Sequence, residues 1–245
     1  MAGKFSVEGE IDFWIGGPGD DEPGQLGQHA LFAELLLVEQ PWKTDAHNLY
    51  VDFEAFRKGR GSMALTDQAA KAVALTMKLR AFLMALHDKL VEGAWLGWGA
   101  PLFYSHLQRE GDFFIQKIAN KEKEPAETEL CSVLRFAGEH AAFAISFLDP
   151  SETKKIHEAR VLLGRFLELG DCCKSVGPAL LEMSLRCERQ LDSYLGTLKP
   201  TTTRSVIHPL LAAHVIREGK RFVEIVERLQ FDAAKNRIAA LVGRQ

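Results

Sequence analysis

GQHALFAELLL at residues 27–37 returns as GEHAAFAISFL at residues 138–148, with 6 of 11 positions identical. Within each copy the apolar residues follow the histidine at i+3, i+4 and i+7: Phe32, Ala33 and Leu36 after His29, then Phe143, Ala144 and Phe147 after His140. That spacing is one face of an α-helix rather than the alternation of a strand. A second pair of segments repeats in the same order. PLFYSHLQREGDFFIQKI (101–118) and PLLAAHVIREGKRFVEIV (209–226) agree at 7 of 18 positions. The offsets are 111 and 108 residues, and His47 recurs as His157 at an offset of 110. Two near-copies in the same order, separated by only small length changes, are the signature of an internal duplication.

Outward from these segments the same period continues, and strand-like alternation is almost absent. Gly/Pro clusters at 16–19, 23–24, 59–61, 97–101, 149–150, 177–178 and 200 divide the chain. The helices expected between them span about 26–38, 42–58, 65–93, 101–120, 128–148, 151–170, 178–197 and 206–230, with a further helical segment in the tail. The fold expected is all-α, a tandem duplication of a four-helix bundle. The first bundle occupies 1–120 with an N-terminal extension, the charged run 121–129 is the linker, and the second bundle occupies 130–245.

Composition narrows the function. The 245 residues carry 30 Lys+Arg against 33 Asp+Glu, a formal charge of −3, with 47% hydrophobic residues. That balance lacks the basic footprint of a nucleic-acid or anionic-membrane binder. No apolar run approaches the ~20 residues needed to span a bilayer. The acidic start MAGKFSVEGEIDFW does not read as a secretory signal, so a cytoplasmic protein is expected. Cys131, Cys172, Cys173 and Cys187 lack CxxC spacing and are expected as free, partly buried thiols. Trp95 and Trp98 are expected to pack between helices.

Six of the eight histidines form three matched pairs: His29/His140, His47/His157 and His106/His214. Glu110 and Glu218 follow His106 and His214 by four residues, about 40° apart around a helix and so on one face. Those faces also carry apolar side chains, where an uncompensated carboxylate is costly. Imidazole and carboxylate groups projecting inward from several helices are how bundle cores hold metals. Mixed nitrogen and oxygen donors suit iron, manganese or zinc. Glu139, beside His140, could add a carboxylate, and Gln28 takes that place in the first half. The competing reading is that His–Glu couples at i, i+4 are packing devices, with Arg109 and Arg217 as neutralising partners. His87 and His208 have no counterparts. The Gly-rich 16–27 segment lacks the strand and lysine of a phosphate loop.

With Phe13-Trp14 leading into GQHALF, H-x-x-R-E at 106–110 and 214–218, and GEHAAF followed by LDPSE (148–152), the chain resembles the bacterial DUF2935 family over residues 13 to 230. The resemblance implies ferritin-like four-helix bundles in tandem, with metal ions held by the motif residues. By position these are His29, His47, His106 and Glu110, then Glu139, His140, His157, His214 and Glu218. Iron is the first expectation, with manganese or zinc as alternatives. The reading that follows is a metal-binding helical protein, as a redox or oxygen-activating enzyme. The alternatives are a non-catalytic metal sensor or store, or a structural helical interaction module.

Overall fold

The helical period is realised through the described residues. Among the described residues the protein is all-α, with no strand and two isolated backbone bridges. The computed structural model describes residues 5–21, 23–119, 125–173, 176–198 and 202–242. The chain divides into two compact units, Met1–Lys123 and Glu124–Gln245.

In the first unit, α1 (Val7–Ile15) precedes α2 (Gln25–Leu36), α3 (Gln40–Gly59), α4 (Leu65–Val91) and α5 (Pro101–Ala119). Helices α2 to α5 pack each on the next, and α5 closes the ring on α2. The sequence reading did not include α1, although its signals are present. Ser6 Oγ accepts from the Gly9 N–H at 3.1 Å, and Glu8 and Glu10 sit in the first turn. There they complement the helix dipole. Ile11, Trp14 and Ile15 are fully buried against α2, α4 and α5. Each contributes on the order of 1.5–3 kcal/mol of apolar burial. The turn from α1 to α2 needs glycine at both ends. Gly16 has φ 94°, and a Cβ on Gly24 would lie 2.1 Å from the Ile15 carbonyl carbon. Two buried arginines hold this loop. Arg57 donates to the Gly17 and Asp20 carbonyls, and Arg60 Nε donates to the Gly16 carbonyl at 2.9 Å.

The second unit is built from α6 (Ala126–Phe147), α7 (Thr153–Cys172), α8 (Pro178–Leu195) and α9 (Pro209–Val242), again a ring closed by α9 on α6. Residues 126–129, expected in the linker, are the first turn of α6. Pro125 starts the helix, Glu127 and Glu129 occupy its acidic first turn, and buried Glu129 pairs with Arg228. Residues 121–124 of that expected linker lie outside the described residues. α9 does not stop near residue 230 but continues to Val242 as one 34-residue helix. His208 Nδ1 accepts from the Leu210 N–H at 3.2 Å where α9 begins. The bridges Leu37↔Gly97 and Leu148↔Ser205 occupy corresponding places in the two units.

Two further expectations are corrected. Cys131 and Cys173 form a disulfide joining α6 to the residue that ends α7, leaving Cys172 and Cys187 as free thiols. The partners are 42 residues apart in sequence and adjacent only in the fold. Trp95 and Trp98 do not pack between helices. They are 65% and 75% exposed and meet edge to face in the loop before α5. Among the described residues, no helix is long and apolar enough to cross a membrane.

Candidate metal centre

The core of each unit contains one fully buried glutamate flanked by two buried histidines. In the first unit, Glu110 lies on α5 one turn after His106, and α2 brings His29 against it. His29 Nε2 is 3.2 Å from Glu110 Oε2, and His106 Nε2 is 3.3 Å from Glu110 Oε1. In the second unit, His140 Nε2 on α6 is 3.4 Å from Glu218 Oε2, and His214 Nε2 on α9 is 3.0 Å from Glu218 Oε1. Each carboxylate thus offers one oxygen to an imidazole on its own helix and the other to an imidazole on the facing helix. The six residues are among the buried His and Glu groups that could hold a metal ion.

Local sequence explains why these side chains point inward. On α5 the buried positions are Phe103, Tyr104, His106, Leu107, Glu110, Gly111, Phe113 and Phe114, so His106 and Glu110 lie on the apolar stripe itself. Trp14 packs against the rings of Phe113 and Phe114, with centroids 6.3 and 6.2 Å away. In the second unit the His140 ring stacks on Phe222 at 6.0 Å with an interplanar angle of 12°. The Phe222 ring orients His140, and the burial of both clusters in these apolar surroundings strengthens the electrostatic interactions inside. Immediately after each glutamate comes a glycine. A Cβ on Gly111 would lie 3.3 Å from the methyl of Thr76, whereas a Cβ on Gly219 would meet no described atom within 4 Å.

Three expected ligands are not brought to these clusters. His47 is exposed on α3, and its Nδ1 lies 3.2 Å from Glu34 Oε2. His157 is exposed on α7. The helix phase is the reason. His47 precedes buried Phe56 by nine residues, and His157 precedes buried Phe166 by nine. Nine residues turn a helix by about 900°, which places the two side chains on opposite faces. Glu139 follows a similar rule. It sits about 100° around α6 from His140, and its Oε1 accepts from Arg135 Nε at 3.1 Å. Gln28, the corresponding residue of the first unit, is buried and donates from Nε2 to the Pro23 carbonyl at 3.1 Å.

The second unit also contains a buried acid that the sequence reading passed over. Glu188 is fully buried on α8, and among the described residues neither carboxylate oxygen has a hydrogen-bond partner. Burial, and then the Asp192 carboxylate one turn on, push its pKa well above the usual carboxylate range. The signal was available, because Leu181, Ser184, Glu188, Leu191 and Leu195 make one apolar stripe with an acid in it.

The donor set fits a metal. Each unit offers two buried imidazole nitrogens, each paired with a buried carboxylate oxygen, and mixed nitrogen and oxygen donors of this kind suit a transition-metal ion. Ligands about 2.1 Å from one ion and at right angles to each other are about 3.0 Å apart, close to the 3.0 to 3.4 Å separations observed.

No family model matches the chain. Uncharacterized protein L567 of Acanthamoeba polyphaga mimivirus is 23% identical over 270 residues, covering 92% of this chain and 82% of that protein. A solved structure of an uncharacterized protein from Bacillus cereus G9241 superposes with a TM-score of 0.81 at 18% identity, covering 91% of this chain and 90% of that one. The likeness to that structure is one of fold.

Proposed function

We propose that this protein binds metal through His29, His106 and Glu110 of its first unit and His140, His214 and Glu218 of its second. Iron is the first choice, with manganese or zinc as alternatives. The observation that carries the reading is the repeated His–Glu–His arrangement, in which both glutamates are fully buried and each carboxylate oxygen faces an imidazole Nε2. Burying ionisable groups twice in the same pattern is costly unless the charge is compensated. A cation held by all three groups compensates it directly. The resemblance to the DUF2935 family points the same way, as does the reading of the two units as copies of one ferritin-like bundle.

A bound iron or manganese ion would supply an open, redox-active position for a small oxidant such as dioxygen or peroxide. The chain's own part is to fix two imidazoles and one carboxylate in each unit, stack Phe222 on His140, and keep bulk water away by burying both clusters. The test is elemental analysis, per chain, of protein purified without chelators, alongside His214→Ala and His47→Ala. One or two equivalents of iron or manganese in the parent, reduced in His214→Ala and unchanged in His47→Ala, is the expected result. Protein that takes up no metal after anaerobic reconstitution with ferrous iron would instead assign the clusters to packing.

A further inference from the structure

A groove of about 670 Å³ runs between α7 and α8, within the second unit and separate from its His–Glu–His cluster. Both free thiols of the chain line it, together with Arg165, Met183, Arg186 and Gln190. Its volume is in the range of small-molecule sites. The Cys131–Cys173 disulfide explains how one thiol comes to be there. It ties the buried Cys173 to α6, and the next residue back, about 100° around the helix, is the exposed Cys172 at the groove. From the other wall comes Cys187, which is 8% exposed. Burial pushes the Cys187 thiol up in pKa, with Glu188 and Glu168 acting in the same sense and Arg165 and Arg186 against it. Of the two, Cys172 is the accessible nucleophile and Cys187 the guarded one.

The polar groups around the thiols favour an anion. Arg165 is held by Gln190, its Nη1 donating to Oε1 at 2.6 Å, and exposed Arg186 precedes Cys187. Against these two guanidiniums the described residues of the groove include one acid, Glu168. Guanidiniums in fixed positions recognise carboxylates through paired hydrogen bonds. Leu169 and Leu180 give the groove an apolar side, so the ligand that fits is small, carries carboxylates and presents sulfur.

We propose that this groove is a thiol-modification site, where Cys172 forms a mixed disulfide with a carboxylate-bearing low-molecular-weight disulfide held by Arg165 and Arg186. The Cys172 thiolate attacks one sulfur of the small disulfide. A new S–S bond forms, the old one breaks, and the other half leaves as a thiolate that takes up a proton from water. The small disulfide is the oxidant, and no other co-reactant is needed.

The experiment uses the full chain and two probes, dianionic dithiobis(nitrobenzoate) and neutral dithiodipyridine. Their rates are normalised to those with a small free thiol, and the modified residue is identified by peptide mass spectrometry. Expected is modification of Cys172, with the anionic probe favoured about fivefold, the scale of two exposed ion pairs. Added salt and the Arg165→Gln/Arg186→Gln double variant should abolish the preference while leaving the neutral probe's rate unchanged. Cys172→Ser should remove the reaction. Modification mapped to Cys187, equal rates for the two probes, or a preference that survives in the double variant would overturn the proposal.

Discussion

Glu188 gives a prediction that rests on one carboxyl group. In the folded chain this group is fully buried without a hydrogen-bond partner, and its pKa is raised well above normal. In the unfolded chain it titrates near ~4.3. Below that value both states carry the proton, and the group's contribution is fully present. Above it the unfolded state ionises while the folded state holds its proton, so the unfolded state binds fewer protons and stability falls as pH rises. The loss accumulates at about 1.4 kcal/mol per pH unit until the folded-state pKa is reached. Glu188→Gln keeps the shape and polarity but cannot ionise. It should match the parent near ~pH 4 and become progressively more stable above it, with that slope. Glu188→Leu should follow the same pH trend and lie about 1–3 kcal/mol above Glu188→Gln at every pH, because it also removes a buried polar group without a partner. The assay is urea unfolding followed by far-UV circular dichroism across this pH range. All four tryptophans, Trp14, Trp42, Trp95 and Trp98, lie in the first unit. Their fluorescence reports on that unit, so the far-UV signal is the readout used for Glu188. Parallel stability curves for parent and Glu188→Gln across the whole range would refute the reasoning.

Other expectations follow from geometry already described. Glu218→Gln should lower the metal content per chain by elemental analysis, while His157→Ala leaves it unchanged. Reducing the Cys131–Cys173 bridge, or replacing both residues by serine, should lower stability in chemical denaturation. For partners 42 residues apart in sequence the loss expected from chain entropy is about 3–4 kcal/mol. Gly99→Ala should destabilise the first unit by about 1–3 kcal/mol, because the new Cβ would lie 2.4 Å from the buried Tyr104 hydroxyl. Thermal unfolding followed by tryptophan fluorescence measures it.

Much of the fold was legible because hydrophobic period and repeat register agree. His29, His106, Glu110, His140, His214 and Glu218 were each identified twice, once by helical phase and once by their copies. His47 and His157 were identified by the copies alone. Their nine-residue spacing to Phe56 and Phe166 places them on the solvent side, and that arithmetic was available from the sequence. The Cys131–Cys173 bridge was not available, because nothing local says which of four cysteines come together. Helix α1 was hidden by the Gly-rich loop after it. Only the structure shows that Arg57 and Arg60 fasten that loop, so that Ile11, Trp14 and Ile15 fold back into the core.

The glycines that follow Glu110 and Glu218 are the same residue under different obligations. Beside Gly111 the Thr76 methyl crowds the space a side chain would need, while beside Gly219 no described atom stands within 4 Å of that space. A glycine inside a helix weakens it by roughly 0.5–1 kcal/mol relative to alanine. The first unit is bound to that cost by its neighbour, whereas the second bears it with no steric need. Evolutionary freedom next to the two carboxylates is therefore unequal. The second unit can accept a stabilising alanine one residue from its glutamate, and in the first the Thr76 methyl must give by a few tenths of an ångström before the unit can follow.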